Sequence, residues 1–259
     1  MKTFSISQIK QLLEDDLLTE EQINELKRDE RKGVQQLLKT YERKKARLEK
    51  ERAAFQRLKR FDEQFKMKSG AIIAGIDEAG RGPLAGPVVS AAVVLPDDFE
   101  FVGLTDSKQL TEKKRNECYD FITKNAVAYA ISVVDNETID RLNILEATKR
   151  SMKEALEKLP VTPDITLVDA VKIESNNNKT IAIEKGDAKS LAIASASILA
   201  KVTRDRLMDE LHEQYPEYDF KRNKGYGSKK HLAALKTYGP SPIHRKSFAP
   251  VANLFKDAF

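Results

Sequence analysis

The stretch AIIAGIDEAGRGPLAGPVVSAAVVL, residues 71–95, decides how the rest of the chain is read. Two apolar runs, AIIAGI at 71–76 and PVVSAAVVL at 87–95, flank a glycine-rich segment with turn character. They read as adjacent strands. Asp77 and Glu78 follow the first run directly, and Gly80, Gly82 and Gly86 come after them. In a continuing strand Asp77 and Glu78 would face opposite ways, so both reach one site only if the strand ends there. The glycines let a backbone approach a ligand closely, and Arg81 adds a donor for phosphate. Equally, the segment could be a structural turn whose exit path Pro83 and Pro87 fix. The pattern is not GxGxxG, and a strand rather than a helix follows it, which disfavours a dinucleotide site.

Working outward, residues 111–125 read as a helix and 127–134 as a third strand. Residues 136–158 read as one helix that Pro160 and Pro163 end. ITLVDA at 165–170 and KTIAIE at 179–184 are two more short strands, and 187–214 is a long helix rich in alanine and serine. This order implies an α/β domain, residues 71–259, with a mixed sheet flanked by helices. Residues 1–68 differ: they hold one glycine, Gly33, and no proline. Thr19 and Gln22 form a capping box that opens a helix, and Gly33 is its expected stop. Val34, Leu37, Leu38, Tyr41, Leu48, Phe55, Leu58 and Phe65 then recur at helical steps, which predicts a long amphipathic helix with one apolar stripe. The domain therefore follows a small, all-helical N-terminal region.

Composition excludes several classes. No apolar run in the 259 residues approaches the ~20 needed to cross a bilayer. The start MKTFSISQIK has no apolar block followed by a cleavage site, so a cytoplasmic protein is expected. Cys118 stands alone, which excludes an internal disulfide, and three histidines without CxxC or HExxH make a protein-bound zinc site improbable. The net charge of +5 is unevenly placed: residues 1–68 hold 18 basic and 13 acidic side chains, and residues 69–259 hold 27 of each. Residues 39–60 alone hold ten basic and three acidic side chains, suiting either a solvated helix or an arm along a polyanion. Residues 221–246 contain Lys221, Arg222, Lys224, Lys229, Lys230, Lys236, Arg245 and Lys246 and no acid, which reads as a surface for phosphates. Lys201 and Arg204 could extend it.

Asp77, Glu78, Asp169 and Asp187 all stand at strand ends, where neighbouring strands converge. Four carboxylates together repel, and persist only if cations neutralise them or some keep their protons. Oxygen ligands without histidine or thiolate favour Mg²⁺ or Mn²⁺, and two such ions about 4 Å apart can drive phosphodiester hydrolysis. Each acid also has a plainer role. Asp187 could cap the helix that follows it, and Asp169 could satisfy loop amides.

The set GIDEAGRGPLAGPVV, TDSKQL, LVDA, KGDAKS, SASILAKVTRD and KGYGSKKH resembles ribonuclease HII in the order and approximate spacing of that family. The resemblance covers residues 71–248. The related ribonuclease HIII usually reads differently around its glycines. The resemblance implies a ribonuclease H-like fold, cleavage of RNA paired with DNA, and incision 5′ of a ribonucleotide embedded in duplex DNA, leaving 3′-hydroxyl and 5′-phosphate ends. It implies metal binding by Asp77, Glu78, Asp169 and Asp187. Gly80, Arg81 and Gly82 would contact the 2′-hydroxyl and adjoining phosphate, Tyr226 would stack on the next sugar, and Lys108 would bind a phosphate. A monomer is expected, with a clamp contact through the tail VANLFKDAF as a possible addition. Two rival functions remain at this stage. One is a non-catalytic hybrid-binding module, and the other an enzyme acting on small phosphate esters.

Overall fold

The computed structural model describes residues 4–68, 70–175 and 178–256. Three helices come first: α1 (Ile6–Glu14), α2 (Glu20–Lys27) and α3 (Lys32–Glu63). Thr19 and Gln22 close the expected capping box on α2. Gly33 is not its stop. The helix ends at Lys27, and Gly33 lies in the first turn of α3. The break is made by Asp29, whose carboxylate accepts from the Arg31 N–H and guanidinium. The single apolar stripe is also divided. Val34 and Leu38 pack with Ile9, Leu13 and Leu26, whereas Phe55 and Leu58 pack in another cluster with Ala91, Val93, Leu191 and Ile198. Leu48, between them, is 43% exposed. Backbone contacts accordingly divide the chain inside α3, into Met1–Ala54 and Phe55–Phe259.

The apolar runs become β1 (Ile73–Ala79) and β2 (Val88–Val94), followed by α4 (Glu112–Asn125) and β3 (Ala128–Val134). Residues 136–158 form two helices rather than one, α5 (Asn136–Leu142) and α6 (Ile144–Glu157). Asn143 adopts φ 72° between them, and its side chain accepts from the Leu145 and Glu146 N–H groups, capping α6. Next come β4 (Ile165–Asp169), β5 (Lys179–Ile183) and α7 (Leu191–Gln214). The chain continues through α8 (Phe220–Asn223), α9 (Lys229–Tyr238) and α10 (Ala249–Lys256).

The five strands form one mixed sheet in the order β3-β2-β1-β4-β5, with β2 antiparallel and β4 parallel to β1. Pleating gives the sheet two faces. Ala74 and Ile76 meet Met152 and Ala155 of α6, while α7 lies across the other face. That second packing is close because Gly75 has no side chain; a Cβ there would sit 2.1 Å from the Ala192 carbonyl carbon. Val251 and Leu254 of α10 turn inward onto Leu84, Met208 and Tyr218, and Phe259 lies outside the described residues. No helix among the described residues is long and apolar enough to cross a membrane.

Candidate active site

β1 does not end at Asp77, as a shared site for Asp77 and Glu78 had required. Its ladder with β2 runs on to Ala79–Val89. On the opposite edge, however, its ladder with β4 stops at Ile76–Val168. Released from β4, the last residues of β1 let both Asp77 and Glu78 border one cavity of ≈ 360 Å³, which Asp169 at the end of β4 also lines. Asp187 is not a helix cap. It sits in a short 3-10 turn, Gly186–Ala188, and Ser190 caps α7 instead, accepting from the Ile193 N–H. The Gly186 N–H donates to Asp169 Oδ1 at 2.6 Å, which pins that turn to the end of β4. Carboxylate oxygens of Asp77, Asp169 and Asp187 consequently lie within 4.8 Å of one another. Glu78 is not part of that tight group.

Burial dominates the electrostatics here. It pushes the Asp77 carboxyl well above the usual range, and the charges of Glu78 and Asp169 add to the push. Asp169 and Glu78 are raised for the same first reason, with Arg81, 3.3 Å from Glu78, working the other way on Glu78. Lys108 Nζ donates to Asp187 Oδ2 at 2.8 Å, and this bond raises the ammonium pKa. Glu78 Oε2 is buried and has no hydrogen-bond partner among the described residues. Repelling carboxylates and an orphaned buried oxygen are costly without a counter-charge. An all-oxygen donor set of this kind fits a hard divalent cation.

The glycine-rich segment forms the other wall of the cavity. Its carbonyls turn inward. Arg204 donates to Ala85 and Pro87 at 3.1 and 2.9 Å, and Arg245 donates to Gly80 and Arg81 at 2.6 and 2.9 Å. None of the hydrogen bonds among the described residues uses the N–H of Gly80, Arg81 or Gly82. Acceptors are thus occupied from behind, and donors are left to meet a ligand. Tyr226 is 49% exposed, with its ring near Gly82, where a Cβ would lie 3.5 Å from Tyr226 Cε1.

Arg204 and Arg245 depart from the expected phosphate surface. Arg204 is 1% exposed and Arg245 0%, with their guanidiniums held by backbone carbonyls. Burial pulls their pKa values down to about 10 and about 9. Lys201 borders the cavity and pairs with Asp205 at 2.7 Å. In the basic stretch Lys221, Arg222, Lys229 and Lys236 are exposed, whereas Lys230 pairs with Asp219 and Lys224 with Asp209. Sequence reasoning missed Ser197, which stands 3.0 Å from the Ser107 hydroxyl and supports Asp77. Its signal was present: residues 193, 197, 201 and 204 share one face of α7.

The family model for ribonuclease HII matches residues 74–251, and the model for the ribonuclease HII N-terminal domain matches residues 5–66. Ribonuclease HII of Oceanobacillus iheyensis is 51% identical over 251 residues, covering 97% of this chain and 96% of that protein. The crystal structure of ribonuclease H2 from Pyrococcus horikoshii OT3 superposes with a TM-score of 0.63 at 28% identity, covering 72% of this chain and 98% of that one. Ribonuclease HII from Archaeoglobus fulgidus, solved in a complex with PCNA, gives a TM-score of 0.59 at 28% identity, covering 68% and 95%. On these matches, and with a ribonuclease H-like sheet behind an acid-lined cavity, the chain belongs to the ribonuclease HII family of metal-dependent endoribonucleases.

Proposed function

We propose that this protein cuts the RNA strand of RNA–DNA hybrids and incises duplex DNA on the 5′ side of an embedded ribonucleotide, leaving 3′-hydroxyl and 5′-phosphate ends. One observation carries the reading: Asp77, Glu78 and Asp169, with Asp187 grouped beside two of them, border the same cavity as the glycine–tyrosine surface. Chemistry and sugar recognition would then act on one nucleotide. In this reading Asp77, Glu78, Asp169 and Asp187 hold divalent cations, Mg²⁺ or Mn²⁺. When bound, these supply Lewis-acid activation of water and offset charge at phosphorus.

The other roles belong to the chain's own groups. The N–H donors of residues 80–82 meet the 2′-hydroxyl and the adjoining phosphate. A 2′-hydroxyl both donates and accepts, so a deoxynucleotide leaves these donors without a partner. The Tyr226 ring stacks on the next sugar, where a hydroxyl would clash. Lys108, whose side chain is 75% exposed, can swing from Asp187 to a phosphate oxygen. Lys201 lies beside the same path. We divide the labour between a helical extension, residues 1–68, and a catalytic domain, residues 71–259. We take the protein to act as a cytoplasmic monomer. Contact with a replication clamp through the C-terminal tail is a further part of this proposal; the Archaeoglobus fulgidus relative was solved in a complex with PCNA. Deleting residues 255–259 and measuring clamp binding tests that contact.

The test of the main reading is incubation with Mn²⁺ or Mg²⁺ and a duplex carrying one ribonucleotide. A single cut on its 5′ side is expected, and an intact duplex under both metals overturns the proposal. A non-catalytic hybrid-binding module is disfavoured, because a pure binder gains nothing from carboxylates facing phosphates.

A further inference from the structure

His231, on α9, and His244, which precedes Arg245, are both fully buried behind the glycine–tyrosine surface. Their Nε2 atoms are 2.8 Å apart. The surrounding hydrogen bonds fix both tautomers. His231 Nδ1 lies 2.9 Å from the Tyr226 carbonyl oxygen, so it carries the proton and donates. His231 Nε2 therefore offers a lone pair. His244 Nδ1 accepts from the Ser241 N–H at 2.9 Å, so the His244 proton is on Nε2 and points at His231. Every ring nitrogen is satisfied with both rings neutral. Burial also pushes both pKa values down, that of His244 to about 4. Phe220 meets His231 edge-on, with ring centroids 5.3 Å apart, and Tyr218 meets His244 at 4.8 Å, which restricts rotation of either ring.

The pair joins the two halves of the recognition surface. One end holds the Tyr226 carbonyl. The other end leads, one residue on, to Arg245, which holds the carbonyls of Gly80 and Arg81. We propose that the buried His231–His244 pair is a positioning device for ribonucleotide recognition, fixing where the Tyr226 ring stands against Gly82. This rests on the reading of Tyr226 and residues 80–82 as the sugar-recognising surface. Neither histidine touches substrate; both act through Tyr226.

A double-mutant cycle tests the proposal. The constants kcat and KM are measured with Mn²⁺ on a duplex carrying one ribonucleotide. His231→Leu removes the donor to Tyr226, and His231→Asn restores a donor near the Nδ1 position. Each variant is made alone and in a Tyr226→Ala background. Loss of one such hydrogen bond is read as roughly a tenfold fall. With Tyr226 present, His231→Leu is expected to lower kcat/KM by about that factor, mostly through KM. His231→Asn is expected to recover most of the loss, and His231→Leu to add nothing once Tyr226 is alanine. Equal losses in both backgrounds would overturn the proposal and leave the sugar-recognition reading standing. Unchanged kinetics in Tyr226→Ala alone would overturn that reading, and the proposal with it. If His231→Leu shows no cooperative thermal transition, His231→Gln takes its place in the cycle. Its amide can still meet His244 but cannot reach the Tyr226 carbonyl, so the same outcomes decide.

Discussion

A carboxyl group that burial has pushed toward its protonated form holds a charge readily only beside a cation, and Asp77 is in that position. Asp77→Asn removes the charge and keeps the shape. We expect turnover to fall about a thousandfold or more, the equivalent of several kcal/mol of lost transition-state stabilisation. The same variant should keep its melting temperature in chelator, because it relieves repulsion. Mn²⁺ should raise the melting temperature of the unaltered protein by mass action but not that of Asp77→Asn. Normal cleavage by Asp77→Asn, or an equal shift with Mn²⁺, would remove Asp77 from the metal site. Two glycines close by separate folding from recognition. Gly80 adopts φ 98°, and a Cβ on it would lie 2.1 Å from Arg204 Nε and 2.7 Å from the Pro87 carbonyl oxygen. Gly80→Ala should therefore cost about 3 kcal/mol of stability, from backbone strain and overpacking together. Gly82 has no such φ, and its nearest obstacle is the Tyr226 ring edge at 3.5 Å, an ordinary contact. Gly82→Ala should melt like the parent yet lose kcat/KM, because the added methyl stands where the sugar would come. Parent-like kinetics in folded Gly82→Ala would show that the substrate does not approach there.

Among the elements, α7 carries most of the site, since Ser197, Lys201 and Arg204 all project from it. Its first turn is held by Ser190 and by Asp62 of α3, whose Oδ2 accepts from the Ala192 N–H at 2.8 Å. Burial raises the Asp62 carboxyl from 3.8 to about 6, against the hydrogen bonds from α7. A raised carboxyl pKa means that the folded state binds the proton more tightly than the unfolded chain. The contribution of Asp62 to stability is therefore greatest below pH 3.8 and falls as pH rises to about 6. The span corresponds to roughly 3 kcal/mol as an upper figure. Asp62→Asn lacks this titration. Its stability relative to the parent should thus rise between pH 4 and pH 6.5 in urea unfolding, and a pH-independent difference would refute the cause. Asp62 also marks the limit of reading elements from sequence. The strands were legible because β-branched runs bounded by glycine and proline have few other uses, and Thr19 with Gln22 opened a helix as its spacing predicts. The motifs picked out Asp77, Glu78, Asp169 and Tyr226, which border the cavity, and Asp187, which joins the carboxylates of Asp77 and Asp169. Two features turned on single local residues: Asn143 splits a helix by a positive φ and caps the next one, and Ser190, three residues past Asp187, caps α7. Arg204 is different, because its partners are the carbonyls of a loop over a hundred positions away, and nothing local to it encodes that contact.

For the whole molecule, the charge excess of the first 68 residues divides where the fold does. Residues 1–54 hold 13 basic and 11 acidic side chains, and residues 55–68 hold 5 and 2. Seven of those 13 basic residues fall in 39–52, against three acids, on a mostly exposed part of α3. Phe55, Leu58 and Asp62, by contrast, belong to the packing around α7. Two truncations should therefore behave differently. A chain starting at residue 69 loses two buried apolar side chains and the Asp62 contact. Each large-to-small loss of that kind costs about 3–5 kcal/mol, enough to unfold a marginally stable domain. A chain starting at residue 55 keeps all three, and should fold and cut. What it gives up is the basic face. If three or so of those side chains neutralise phosphates, the slope of log affinity against log salt should become shallower by about 3. Measuring duplex binding from 50 to 200 mM salt for the full chain and for residues 55–259 reads that slope directly. A shallower slope with intact cleavage of a short duplex makes the arm an electrostatic tether. An unchanged slope assigns the basic face to solvent, and leaves substrate affinity to the cavity and the lysines around it.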